Sequence, residues 1–247
     1  MMEGYGPASY GDAIADFYDR FYDGVFDTES AVERLAELAQ GGRALELGIG
    51  TGRVALPLAA RGVVVEGVDS SVAMVAKLRD KPGGKAIPVA IGDFRAPEIG
   101  GRFDLVYIVF NTFFALTTQA DQLACFEAVA GLLEPGGCFV IEAFVPDLSR
   151  FSRNQNLNVE EVGLEEVHLS AGRLDPVRQV IDSQHVLVSE QATRLVPVRI
   201  RFAWPSELDL MARLAGLGLD ARWGDWRGTP FTSDSRGHVS VYRRPPP

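Results

Sequence analysis

Between residues 42 and 144 the apolar positions alternate between two spacings. Short runs of continuous or alternating hydrophobicity are separated by stretches with helical spacing. "RALEL" (43–47), "VVVEGVD" (63–69), "AIPVAIGD" (86–93), "FDLVYIVF" (103–110) and "CFVIEAF" (138–144) read as strands. The fourth is the most apolar, which predicts a central place covered on both faces. "TGRVALPLAARG" reads as a helix ending near Gly62, with Pro57 making its start irregular. "SVAMVAKLRD" sets Val72, Val75, Ala76 and Arg79 at helical spacing, capped by Ser70 or Ser71. "ADQLACFEAVAGLL" puts Leu123, Phe126, Val129, Ala130 and Leu133 on one helical face. Strands alternating with helices predict a parallel, doubly wound α/β sheet.

The flanks follow other rules. "DAIADFYDRFYDG" predicts one helix and "SAVERLAELAQGG" a second, with Ser30 and Glu33 in capping-box register and glycine at its end. After Phe144, "GLEEVHLSAG", "VRQVIDSQHVLVSE" and "ATRLVPVRIRFAW" alternate with period two and predict antiparallel strands. "PSELDLMARLAGLG" returns to a helix with Leu208, Met211 and Leu214 on one face. "LDARWGDW" and "GHVSVYRR" read as two more strands. The expected organisation is one domain over 1–247, a helical lid over 1–41 and a β-rich insertion over 146–204.

Composition narrows the function. The 247 residues are 47% hydrophobic, enough for one well-packed domain. A net charge of −9 argues against a nucleic-acid partner, which needs clustered Lys and Arg. No apolar run approaches the ~20 residues of a membrane span, and the N-terminus has no basic-then-apolar leader pattern. Cys125 and Cys138 have no metal-like spacing and read as free thiols, so no metal is expected and a cytoplasmic location is. Oligomeric state stays open.

The chemistry starts at "LELGIGTGR" (45–53). Glycines at 48, 50 and 52 let backbone approach a ligand closely. The dinucleotide fingerprint needs its third glycine at 53, where Arg53 stands, and no Lys-Ser or Lys-Thr pair follows for a phosphate loop. Glu46 beside the loop would repel a pyrophosphate and suit an ammonium or sulfonium. Asp69 ends the second strand, at the sheet edge where ligands bind, and can accept from both hydroxyls of a ribose. Its other reading is a helix cap. Met74 can lie on a purine face or in the core. Asp93 can accept from an adenine amine, with Phe94 on the ring. Together these describe an adenosine with a cationic amino-acid tail and no phosphate.

Over residues 43–144, "LELGIGTGR", the "VEGVDSS" and "AM" stretch, "IGDF", "FDLVYIVFNTFFAL" and "LLEPGGCFVIEAF" resemble the class I S-adenosylmethionine-dependent methyltransferases, in that family's order. The resemblance implies a Rossmann-like, mostly parallel seven-stranded sheet with an antiparallel β insertion after the fifth strand, and S-adenosylmethionine as cofactor. It implies that Glu46, Gly48, Gly50 and Gly52 line the methionine moiety. Asp69 would hold the ribose with Ser70 and Met74 beside it, and Asp93 and Phe94 the adenine. Phe110 and Asn111 would face the methyl group and the acceptor. "FYDRFYD" is similar to the family's tyrosine-bearing lid, where Tyr18 and Tyr22 would reach the cofactor or the acceptor; ordinary packing is their other reading.

"FNTFFAL" departs from the Asn/Asp-Pro-Pro-aromatic signature of base and glutamine N-methyltransferases. A small-molecule acceptor is therefore expected, with nitrogen favoured over oxygen or carbon and secondary metabolism as the setting. The insertion layout resembles that of small-molecule N-methyltransferases. Candidate bases are His168, His185, His238 and Glu142, with His168 and Glu142 favoured by topology; structural roles are the alternative for the histidines. Phe114 and Phe144 are candidate walls of the acceptor pocket, alongside Phe113, Trp204, Trp223 and Trp226. The rival functions are a protein that binds the cofactor without methyl transfer, or catalyses another reaction beside it, and an NAD-dependent oxidoreductase.

Overall fold

A computed structural model describes residues 2–246; Met1 and Pro247, the outermost residues of the expected lid and domain, lie outside the described residues. The α/β block consists of β1 (Arg43–Leu47), α4 (Ala55–Ala60), β2 (Val64–Asp69), α5 (Val72–Asp80), β3 (Val89–Ile91), β4 (Phe103–Ile108), α6 (Gln119–Leu132) and β5 (Leu133–Phe144). It is preceded by α1 (Ser9–Ile14), α2 (Tyr18–Phe21) and α3 (Thr28–Ala39). After β5 come β6 (Gln155–Val162), β7 (Glu166–Asp175), β8 (Val180–Ser189) and β9 (Thr193–Arg201), then α7 (Pro205–Leu214), β10 (Gly218–Trp223) and β11 (Gly237–Arg243).

The main sheet has the order β10-β11-β5-β4-β1-β2-β3. β1 to β5 pair in parallel, while β11 runs antiparallel to both β5 and β10. β4 lies at the centre, as its apolar run predicts. Alternation along the strands sorts the core into two layers. Leu45, Val106, Phe139 and Ile141 pack under α6 and α7; Ala44, Leu105, Tyr107 and Val140 pack under α3 and α4. A third cluster joins the N-terminal helices to the insertion, through Ile14, Phe17, Tyr18, Met74, Leu187 and Val196.

Several elements differ from the sequence reading. The N-terminal stretch forms two short helices, because Phe17 (φ −133°) leaves helical geometry and turns the chain between them. Asp27, not Ser30, caps α3; its carboxylate accepts the Ser30 N–H at 3.2 Å. The third strand shrinks to three residues, and residues 84–86 become a 3₁₀ turn. The insertion holds four strands rather than three, ordered β6-β7-β8-β9. In the fourth, "QNLNVEEV", a bulge between Val159 and Glu161 breaks the period. Leu214 is 72% exposed, whereas Leu208 and Met211 are buried.

Candidate active site

The parallel strands β1 and β2 end side by side, and the glycine loop closes over them. The N–H groups of Gly48 and Ile49 both donate to the Val68 carbonyl, at 2.8 and 3.1 Å. Gly48 has φ +76°, and a Cβ there would come within 2.6 Å of Thr112 Cγ2. Only glycine allows this backbone to lie so near the β4 end. Gly50 (φ +55°) donates its N–H to Asp69 Oδ2 at 2.7 Å, and Ser71 donates its N–H to Asp69 Oδ1 at 2.8 Å. Each bond occupies one lone pair of the carboxylate, so both oxygens keep capacity for further donors. Burial raises the Asp69 pKa against these bonds.

The loop opens into a cavity of about 350 Å³. Glu46, Gly48, Gly50, Asp69, Ser70 and Met74 line one end; Tyr18 and Tyr22 reach it from the lid. Phe94, Phe110, Asn111 and Phe144 line it from the ends of β3, β4 and β5. Glu46 is buried, and its carboxylate accepts from the Tyr107 hydroxyl at 3.0 Å. Burial pushes its pKa up to about 8, opposed by the Tyr107 bond and by Arg53. Arg53 also lines the cavity; its guanidinium sits 4.4 Å over the Phe26 ring and donates to Thr28 Oγ1 at 2.8 Å. A carboxyl and a guanidinium thus face the same space, which suits an amino acid's ammonium and carboxylate.

The α1 and α2 segments are tied to the glycine loop and to α5. The Ser71 hydroxyl donates to Asp12 Oδ1 and the Thr51 hydroxyl to Asp19 Oδ1, each at 2.6 Å. Lys77 pairs with Asp16 at 2.9 Å and Lys81 with Asp19 at 2.6 Å. Such exposed pairs contribute little each, but they fix where α1 and α2 sit. Gly11 lets α1 approach closely, since a Cβ there would lie 2.7 Å from Ser71 Cβ.

Five expected site residues fall elsewhere. Gly52 is packed under Leu78 and Leu56, because a loop that turns into α4 puts it on the α5 side. Asp93 is engaged within its own loop, accepting the Arg95 N–H at 2.8 Å, and does not line the cavity. Phe114 is fully buried, because a 3₁₀ turn over Thr112–Ala115 swings its ring into the core against Phe144. Glu142 does not line this cavity, and its carboxylate is engaged by the turn that follows β4. Phe110 (φ +55°) and Asn111 (φ +61°) both take left-handed backbone, a strained pair. Glu142 Oε2 accepts the Phe110 N–H at 2.8 Å, and Asn111 Oδ1 accepts the Phe144 N–H at 2.7 Å, which holds the turn.

His168 does not line the cavity. His185 is the histidine that lines it, and His168 Nε2 meets His185 Nδ1 at 3.0 Å. The register explains this: His185 pairs with Ser170, two residues further along β7 than His168. Burial and the neighbouring His168 lower the His185 pKa. His238 is buried in β11 against Ser240, and burial brings its pKa down to about 4. Of the remaining aromatic candidates, Phe113 and Trp226 are core, and Trp204 and Trp223 do not line the cavity.

Sequence reasoning missed Tyr5, Tyr10 and Arg53 as cavity residues. Arg53 was visible only as a break in a glycine pattern, and Tyr10, inside the expected lid, precedes the stretch read as its first helix. Tyr10 and Tyr22 share a hydroxyl–hydroxyl hydrogen bond of 2.8 Å, and burial raises both pKa values, that of Tyr22 to about 12. Among the described residues no His, Cys, Asp and Glu cluster has the makings of a metal site. Among them, too, no helix is long and apolar enough to cross a membrane.

Known proteins share this arrangement. A methyltransferase-domain family profile matches residues 44–137. The cypemycin N-terminal methyltransferase of a Streptomyces species is 30% identical over 207 residues, covering 83% of this chain and 84% of that one. The CcbJ methyltransferase of Streptomyces caelestis is 41% identical, with a TM-score of 0.92 over 98% of this chain and 100% of that one. The S-adenosylmethionine-bound CalS10, an amino pentose methyltransferase of Micromonospora echinaspora, shares the fold at 23% identity, with a TM-score of 0.69 over 92% and 96% of the two chains. With the glycine loop, Glu46 and Asp69 set around one cavity, the chain belongs to the class I S-adenosylmethionine-dependent methyltransferases.

Proposed function

We propose that the chain methylates a nitrogen atom of a small natural-product acceptor in secondary metabolism. The observation that carries this reading is the chemistry at the acceptor end of the cavity. The titratable side chains that line the cavity under the insertion include the phenols of Tyr10 and Tyr22, held above their usual range, and His185, held below its own. None is a strong base, which suits a neutral amine better than an alcohol. The N-terminal methylation named for the cypemycin enzyme supports the same preference.

The residues present fit the cofactor. Glycines at 48 and 50 leave a cradle that a Cβ at Gly48 would fill. Glu46 answers an ammonium or sulfonium, Arg53 a carboxylate, and Asp69 has lone pairs left for ribose hydroxyls. When bound, S-adenosylmethionine supplies an electrophilic methyl group on a sulfonium whose leaving group is a neutral thioether. The protein's own work is alignment and drying. Of the stretch expected as a lid, α1 and α2 close over the cofactor, whereas α3 belongs to the core layer beside α4; the insertion at 146–204 roofs the acceptor end. Phe110 and Asn111 set the floor beside the transfer point, held by Glu142. His185 stays neutral near pH 7 and accepts a hydrogen bond from the acceptor N–H through Nε2, while His168 fixes its ring through Nδ1.

The deciding experiment incubates the protein with methyl-labelled S-adenosylmethionine and a panel of amino-acid amines, peptide N-termini, amino sugars and phenols. Tandem mass spectrometry then locates the added methyl group. Label on phenols alone, with no amine modified, would sink the nitrogen assignment. With an accepted amine, His185→Gln should lower kcat by roughly tenfold while leaving cofactor affinity within about twofold. Initial rates and calorimetry check this, and an unchanged kcat removes His185 from the acceptor site.

A further inference from the structure

An amine bound at neutral pH arrives mostly as an ammonium ion, because α-amines titrate at about pH 8 and alkylamines at about pH 10. An ammonium nitrogen has no lone pair to offer a methyl group. One proton must therefore leave each acceptor before transfer, out of a cavity that α1, α2 and the insertion cover. His185 lines that cavity, and burial together with His168 lowers its pKa. So weak a base does not keep a proton near pH 7; its use is to hand the proton on.

A second imidazole is in place to receive it. His168 Nε2 lies 3.0 Å from His185 Nδ1, with ring centroids 5.1 Å apart. The two side chains share one face of the insertion sheet, His168 on β7 and His185 on β8. Phe21 of α2 covers both rings, at 4.9 and 5.7 Å between centroids, and keeps water off the bond between them. Each ring keeps one free nitrogen. Among the described residues no hydrogen bond engages His185 Nε2 or His168 Nδ1, and neither is a buried atom without a partner. Both therefore reach open space: the cavity for His185, and solvent for the half-buried His168, which does not line the cavity.

The surrounding charges favour outward passage. β6 is the strand beyond β7 from His185. Its Glu161 stands opposite His168 in the register and is exposed, and Glu160, in the bulge, acts on His185 by its charge. Glu166 lies two residues before His168 on the same strand face. On β9, Arg194 is drawn over the Phe17 ring at 4.5 Å. From α1 and the end of α2, Tyr10 and Tyr22 present phenols bonded to each other.

We propose that His168 is the outlet of a two-histidine relay that carries the acceptor's proton from the cavity to solvent, a step that rests on the amine assignment above. The ammonium proton passes to His185 Nε2. The proton on His185 Nδ1 moves to His168 Nε2, and the one on His168 Nδ1 leaves to water beside Glu161. The relay makes and breaks only N–H bonds, and the lone pair it frees is the one that takes the methyl group. Water admitted on product release restores the starting tautomers. His168 touches no substrate and acts through His185.

Kinetics with an accepted amine test it across pH. His168→Gln keeps an acceptor for the His185 Nδ1–H but has no proton to pass on. Its kcat should fall about fivefold at pH 7, with calorimetric cofactor affinity unchanged. The loss should shrink toward pH 9, as more acceptor arrives as free amine. His168→Ala opens room at the solvent end, and imidazole added to the buffer should restore kcat there several-fold. A packing role would respond to neither. NMR of the ligand-free, histidine-labelled protein should show His185 protonated on Nδ1 and bare at Nε2 at pH 7. The opposite tautomer overturns the proposal. So does a wild-type kcat in His168→Gln from pH 6 to pH 9, or a loss moved by neither pH nor imidazole. With amines methylated, those outcomes remove the relay alone; label on phenols alone removes it together with the nitrogen assignment.

Discussion

Asp69→Ala should weaken S-adenosylmethionine binding by roughly 30–150-fold, about 2–3 kcal/mol, in calorimetric titration. The argument starts from what the carboxylate does without ligand. It sits at the end of β2 and holds the N–H groups of Gly50 and Ser71 at 2.7 and 2.8 Å. Those two bonds keep the glycine loop against the start of α5. They also leave the carboxylate with acceptor capacity for the ribose hydroxyls proposed to bind there. Alanine removes the ribose acceptors and strands two backbone donors that the ligand cannot satisfy. Asparagine separates the two losses. It keeps one acceptor oxygen and the side-chain volume, so Asp69→Asn should fall between wild type and alanine. S-adenosylhomocysteine has the same ribose and lacks the sulfonium, so it should lose affinity by a similar factor. An unchanged affinity in Asp69→Ala would take Asp69 out of the cofactor site.

The parts of this site that the sequence revealed are those where one local rule decides the outcome. Glycine at 48 and 50 is demanded by positive φ, and Asp69 ends a strand whose alternating apolar pattern fixes its register. The strands of the α/β block and the central place of β4 follow from period, while their closure with β10 and β11 into seven strands was implied by the family resemblance. What stayed hidden depends on contacts between distant segments. Nothing near Phe114 indicates that a 3₁₀ turn sends its ring into the core. His168 and His185 share one face of the insertion sheet, and which of them reaches the cavity is set by their positions along β7 and β8, which the period of each strand alone does not give. Glu142 sits at the active edge, as its strand position predicts, but its carboxylate is engaged by the strained Phe110–Asn111 turn. That turn has no composition signal, because neither residue is glycine. The fourth insertion strand was hidden by its bulge.

Cofactor affinity should rise with pH up to about pH 8 and then level off, and Glu46→Gln should flatten that rise. Glu46 is buried beside Tyr107, and burial holds its pKa at about 8, so below that pH the unliganded protein carries a protonated carboxyl there. A cationic ligand stabilises the ionised form and lowers the pKa. Binding below pH 8 therefore releases a proton, and affinity falls by up to about tenfold for each unit of acidification until the bound-state pKa is reached. The sign for folding is opposite. A carboxyl whose folded pKa is raised from 4.5 to about 8 contributes stability that is complete below pH 4.5 and is lost as pH rises through 8. The ligand-free protein should thus melt lower at pH 9 than at pH 6, and the difference should shrink in Glu46→Gln. Any titration of the ligand's own amine is shared by wild type and variant, so the difference between their pH profiles belongs to Glu46. Calorimetry in two buffers of different ionisation enthalpy counts the released proton directly. Equal slopes in wild type and Glu46→Gln between pH 6 and pH 8 would show that Glu46 does not face the cationic tail.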